Sequence, residues 1–82
     1  MVNNKDNILF GKVIREFRRK ANLSQEDLAD KANLDRTYIS LIERGQRSPT
    51  VRAVISICDA LNLPSATIFT RLDEHRQQQQ TK

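Results

Sequence analysis

Arg36, Thr37, Ser40 and Arg44 place hydrogen-bond donors and positive charge at helical spacing. At about 100° per residue they fall within roughly a third of a helix's circumference, away from Ile39 and Ile42. The chemistry of such a face is recognition rather than bond-making. A guanidinium presents a planar fork of donors, a hydroxyl both donates and accepts, and both act without an activating partner. Groups that make bonds are sparse. His75 is the only histidine and lies in a polar tail with no evident nucleophile beside it, and Cys58 is the only cysteine. One Cys and one His do not complete a zinc site. Gly11 and Gly45 are the only glycines, so no phosphate-cradling loop is present. No enzyme, no metal and no cofactor are expected.

The elements that must hold this face lie in QEDLADKANLDRTYISLIER, residues 25–44. Leu28, Ala29 and Ala32 recur at helical spacing, and Ile39 and Ile42 resume the apolar pattern on a second helix. Asn33 interrupts the pattern where the chain needs a left-handed residue, a conformation asparagine tolerates better than most. Ala29 is small enough for a second helix to cross closely. Two helices joined by a tight turn, the second docked on one side and free on the other, form the pattern of a helix-turn-helix that places its second helix in the DNA major groove. Arg36 and Thr37 stand at the end of that helix that enters the groove. Arg36 suits guanine O6 and N7, Thr37 suits a base edge or a thymine methyl, and Ser40 is a shorter reader one turn on. Gln25, Tyr38, Arg44, Gln46 and Arg47 are donors at helix ends or in the bordering loop. They are expected on phosphates, which fix register without carrying sequence information. Tyr38 has a second reading, with its ring in the core and only its hydroxyl emerging.

With 82 residues the chain is one small domain, and 38% hydrophobic residues support a modest core. A net charge of +4 and a pI near 9.7 suit nucleic acid or an anionic surface without choosing between them. No apolar run approaches the ~20 residues of a membrane span, and nothing at the N-terminus reads as a signal peptide. The lone Cys58, on the apolar side of a predicted helix, fits a reducing compartment. A cytoplasmic protein with no membrane contact is therefore expected.

The rest of the chain supplies three more helices. Residues 8–21 carry the stripe Phe10, Val13, Ile14, Phe17 and Ala21, with Lys12, Arg15, Glu16 and Arg19 on the wet side. Arg18 flanks the stripe and can point inward if paired. Ser24 is a good N-cap for the second helix, with Asp27 three residues on, and Asp35 can cap the third, which Gly45 can end. The fourth helix runs from Thr50 to Asn62, with Val51, Val54, Ile55, Cys58 and Leu61 toward the core and Ile57 beside them. Ser65 opens a short fifth helix. Leu63, Ile68, Phe69 and Leu72 are more apolar surface than that helix can hide in one copy, so they are expected to share in a homodimer interface. Residues 1–7 read as frayed. The domain covers residues 1–76, and the Gln-rich residues 77–82 read as frayed helix or a disordered polar tail. The expected fold class is all-α, a compact five-helix bundle. On the second helix Glu26 and Asp30 are like charges at i, i+4, which helix stability does not explain.

Over roughly residues 8–70 the chain resembles the phage-repressor/Cro-type helix-turn-helix family. The resemblance rests on Arg18, LSQEDLA from Leu23, IERG from Ile42 and ALNL from Ala60, in that order. LDRTYISLIERGQRSPT, from Leu34, resembles more narrowly the controller proteins of restriction–modification systems. Phage-type or chromosomal repressors, and antitoxin or other protein-interaction modules on the same fold, stay open as alternatives. The resemblance implies a lambda-repressor-like bundle that dimerises through its fifth helix. It implies a transcriptional regulator, activating or repressing, whose partner is double-stranded DNA with a near-palindromic operator. It also implies an inward salt bridge between Arg18 and Glu43, and contact with RNA polymerase through Glu26 and Asp30.

Overall fold

The computed structural model describes residues 5–80. Five helices follow one another: α1 (Lys5–Lys20), α2 (Gln25–Ala32), α3 (Arg36–Glu43), α4 (Val51–Leu61) and α5 (Ser65–Gln80). The described residues contain no strand, and no single helix among them is long and apolar enough to cross a membrane. α1 packs on α3 and α5, α2 packs on α3 and α4, and α4 closes on α5. Val13, Ile14, Leu28, Ile39, Ile42, Ile57 and Ile68 are sealed at the centre. Each such side chain stabilises the bundle by about 1.5–3 kcal/mol relative to exposure.

Local chemistry explains where each helix begins. Ser24, Asp35 and Thr50 sit in extended backbone and accept hydrogen bonds from the backbone N–H groups of Asp27, Thr37 and Ala53. At Ser24 the cap is reciprocal, because Asp27 Oδ2 accepts the Ser24 N–H at 3.1 Å. Where the helices stop, one device recurs. Asn22, Asn33 and Asn62 take left-handed φ values of 64°, 58° and 61°, and Gly45 takes 73°. At each site that residue and the next return their N–H groups to the closing turn, as in Asn33 to Asp30 O and Leu34 to Ala29 O. Leu23, Leu34 and Leu63, which follow the three asparagines, pack against the core. Asn22 was not anticipated, although the repeated A-N-L, A-N-L, L-N-L of residues 21–23, 32–34 and 61–63 carries its signal.

Several expectations are corrected. α1 begins at Lys5, so residues 5–7 are helical rather than frayed, and residues 1–4 lie outside the described range. Ala21 is exposed beyond the end of α1. On α4 the buried stripe is Ala53, Val54, Ile57, Cys58 and Leu61, whereas Val51 is 77% and Ile55 51% exposed. The apolar residues of α4 cover more than one stripe, and the faces of α2 and α5 select the one with Ile57 at its centre. α5 is not short, since it runs to Gln80, and the tail expected from residue 77 is helical as far as it is described. Its anchor lies across the bundle. Arg71 Nε donates to Glu16 at 3.1 Å, Arg76 meets Asp6 at 3.4 Å, and His75 sits half-buried with Nε2 3.7 Å from Glu16. Phe69 stacks on Phe10 with ring centroids 6.0 Å apart. One flank of α5 thus grips Glu16 and the other grips Asp6 and Phe10, so that α5 straddles α1.

The backbone N–H of Ser24 holds the Asp27 carboxyl below its ordinary value of 3.8, helped by the Ser24 side chain. A carboxyl depressed in the folded state adds stability above its unfolded pKa and loses it as pH falls through the folded value. Urea denaturation from pH 5 to pH 2 should therefore show a falling midpoint, and Asp27→Asn should fall less steeply over that interval. Equal slopes for the two chains would mean that the cap does not titrate.

Candidate nucleic-acid interface

α3 is held at both ends. At its start, the left-handed Asn33 turns the chain into α3, which packs back on α2, where Ala29 is buried. At its end, Arg18 donates from Nε to Glu43 Oε2 at 2.6 Å and from Nη2 to Oε1 at 3.0 Å. The third arm of the guanidinium, Nη1, donates to the Leu23 carbonyl at 2.8 Å. Gln25 Nε2 adds a bond to Glu43 Oε1 at 3.0 Å. The side chains of Arg18 and Glu43 are only 9% and 2% exposed, so the pair is desolvated and geometrically committed. It ties the last turn of α3 to α1, to the α1–α2 connection and to the first residue of α2 in one cluster.

Gly11 makes the same seat from the backbone side. A Cβ there would stand 2.3 Å from the Ile42 carbonyl oxygen and 2.6 Å from that of Glu43. Only hydrogen fits, which explains a glycine inside a helix where it costs about 1 kcal/mol against alanine. That cost is the signal the sequence carries for a close approach at this position. Gly45 follows directly, left-handed, with Ile8 filling the space a side chain would need.

Ile39 and Ile42 are sealed while Arg36 and Thr37 are exposed and Ser40 is partly so. Arg44, Gln46 and Arg47 are exposed on the run that follows, and Arg44 Nε bonds the Ser40 carbonyl of its own helix at 3.3 Å. None of Arg36, Arg44 and Arg47 forms an ion pair with a described carboxylate. Tyr38 combines its two readings. Its ring is half-buried against the core under the Arg47 guanidinium, 5.5 Å from the centroid, and its hydroxyl accepts the Thr50 N–H at 3.2 Å. That bond uses the oxygen and leaves the O–H proton to donate outward. Gln25 departs from expectation, because its amide N–H turns inward to Glu43 instead of projecting from the helix end. A second N–H remains on the same nitrogen. Glu26 and Asp30 are exposed on α2.

The apolar residues expected to be shared with a second copy do not all reach the surface. Ile68 is fully buried in the monomer, and Leu63 and Leu72 are half-buried against its core, whereas Phe69 is 44% exposed. The surface that stays apolar joins α4 to α5. Val51, Pro49 and Val54 line an open groove of about 260 Å³ with Phe69 and Leu72, and Ile55 continues from Val51. Cys58 belongs to the core, where burial, then Asp59, pushes its thiol above the ordinary value.

Comparison with known proteins gives this geometry its relatives. A family model described as helix-turn-helix matches residues 14–68. Control protein C.SmaI of Serratia marcescens is 41% identical over 58 residues, spanning 71% of this chain and 69% of that protein. Control protein C.BamHI of Bacillus amyloliquefaciens is 46% identical over 57 residues, spanning 68% and 70%. The crystal structure of the restriction–modification controller C.Esp1396I, a tetramer in complex with its natural 35 base-pair operator, superposes with a TM-score of 0.80 at 37% identity, covering 85% of this chain and 92% of that one.

The buried pair makes an unequal prediction. Arg18→Ala strands Glu43 without its countercharge and should cost about 3–5 kcal/mol in urea denaturation. Arg18→Met combined with Glu43→Leu removes both charges and should recover most of that loss. A double variant as unstable as the single one would show that packing, rather than uncompensated charge, sets the cost.

Proposed function

This chain belongs to the helix-turn-helix family that restriction–modification control proteins share, and from that membership we propose that it is such a controller. In this reading it is a transcriptional regulator of the cytoplasm that binds a near-palindromic operator upstream of its own gene as a homodimer. The observation that carries the proposal is the division of α3, with Ile39 and Ile42 sealed while Arg36 and Thr37 stand exposed at its N-terminal end. Those two, with Ser40, are the base readers. Arg44, Gln46 and Arg47, with the Tyr38 hydroxyl and the second Gln25 N–H, hold phosphates on either side and make binding salt-dependent. Gln25 then acts twice, seating Glu43 and touching the backbone.

One copy reads only a few base pairs. Two copies related by a two-fold axis space their α3 helices by roughly one turn of DNA, ~34 Å, and so match a palindrome. The surface proposed for that contact is Val51, Ile55, Phe69 and Leu72, with Ile68 supporting it from within the monomer. Glu26 and Asp30 are exposed on α2 and are proposed as the contact with RNA polymerase when the bound dimer activates.

Three measurements follow. In a gel-shift with the upstream DNA, Arg36→Ala should cost ~1–3 kcal/mol and relax preference at one base position. Weakening that is equal for all sequences would remove Arg36 from the readers. Ile55→Glu should convert dimer to monomer in sedimentation equilibrium while leaving the monomer's own unfolding free energy within about 0.5 kcal/mol, since the side chain is half outside the monomer. A persistent dimer would put the interface elsewhere. Glu26→Gln with Asp30→Asn should lower transcription from the target promoter at unchanged operator affinity, and lost affinity would reject the polymerase role.

A further inference from the structure

α1 presents a face that nothing above uses. Lys12, Arg15 and Arg19 are all exposed and lie within about 60° of one another around the helix. None of them forms an ion pair with a described carboxylate. The acids of α1 are turned to other partners: Glu16 to Arg71, Lys20 and His75, and Asp6 to Arg76. Like charges three and four residues apart repel on a helix surface, so helix stability does not account for three cations there.

Their position supplies a reason. Gly11 and Arg18 are the α1 residues seated on the last turn of α3, and Arg15 lies about 40° around the helix from Gly11. Arg15 therefore borders the contact with Ile42 and Glu43, the two residues that precede the exposed Arg44 in the chain. Lys12, Arg15 and Arg19 form a basic strip on α1 that starts beside its seat on the last turn of α3. We propose that Lys12, Arg15 and Arg19 are a second polyanion-contact surface, which takes DNA phosphates flanking the base-read segment. The proposal rests on the DNA-binding reading above and extends it beyond α3. Arginine pairs bidentately with phosphate oxygens, and long flexible side chains tolerate a variable flank. The contact adds affinity and length of footprint but no sequence preference.

The test compares the wild type with the triple variant Lys12→Ala, Arg15→Ala, Arg19→Ala on two duplexes, by fluorescence anisotropy across a salt series. One duplex carries only the upstream palindrome, and the other adds a helical turn of DNA at each end. The wild type should show a steeper dependence of log K on log salt with the longer duplex. The triple variant should lose that excess, by ~0.9 in slope for each phosphate contact removed, and keep its sequence preference. Glutamine at the same three positions, which preserves side-chain bulk without charge, must give the same change. A slope on the longer duplex that the substitutions leave unaltered overturns the proposal, as does an equal loss on both duplexes. If the wild type itself failed to prefer the palindrome over scrambled DNA, the controller reading would fall, and the slope comparison would still decide this surface.

Discussion

The geometry of α3 depends on one desolvated ion pair. Glu43 is the last residue of α3, and its carboxylate is almost entirely removed from water. Such a group is tolerable only where its lone pairs are filled by donors of fixed direction. Arg18 supplies two of them and Gln25 a third. Because the same guanidinium also holds the Leu23 carbonyl, the pair aligns three elements at once. Its value lies in orientation more than in net stability, since a buried pair of this kind often roughly offsets its own desolvation. Gly11 enforces the same alignment by steric exclusion, which does not vary with salt or pH. Electrostatic and steric constraints therefore converge on one end of an eight-residue helix.

That convergence makes a short helix usable as a probe. Eight residues alone are too few to hold helical structure in water. α3 persists because its caps, Asp35 and the Arg44–Gly45 stop, satisfy its terminal groups, and because Ile39 and Ile42 fasten it to the core. Its remaining face is left with no structural task. A face so rigidly presented loses little side-chain and backbone freedom when it docks, which favours recognition.

Charge is partitioned across the rest of the molecule. The seam between α1 and α5 uses acids against arginines and a histidine, and it extends α5 well past its apolar residues. The apolar surface on α4 and the start of α5 is bordered by Asp6, Arg52 and Asp59. Unpaired cations collect on α3, on the loop after it and on the outer side of α1. The apolar groove meets the α1–α5 seam at Asp6, Phe10 and Phe69.

Much of this was determined by sequence alone, and the physical reason is locality. Helix starts at Ser24, Asp35 and Thr50 and stops at Asn33 and Asn62 follow from hydrogen bonds spanning a few residues, which residue type reports directly. The outward direction of Arg36, Thr37 and Ser40 follows from helical period against Ile39 and Ile42. What the tertiary structure alone decided is phase and reach. Period says that α4 has apolar stripes, but only the seats offered by α2 and α5 choose Ile57 over Val51 and Ile55. Ile68 looks like surface until the bundle closes over it. α5 runs on to Gln80 past the bond of Arg71 to Glu16, which joins residues 55 positions apart and which no local pattern announces.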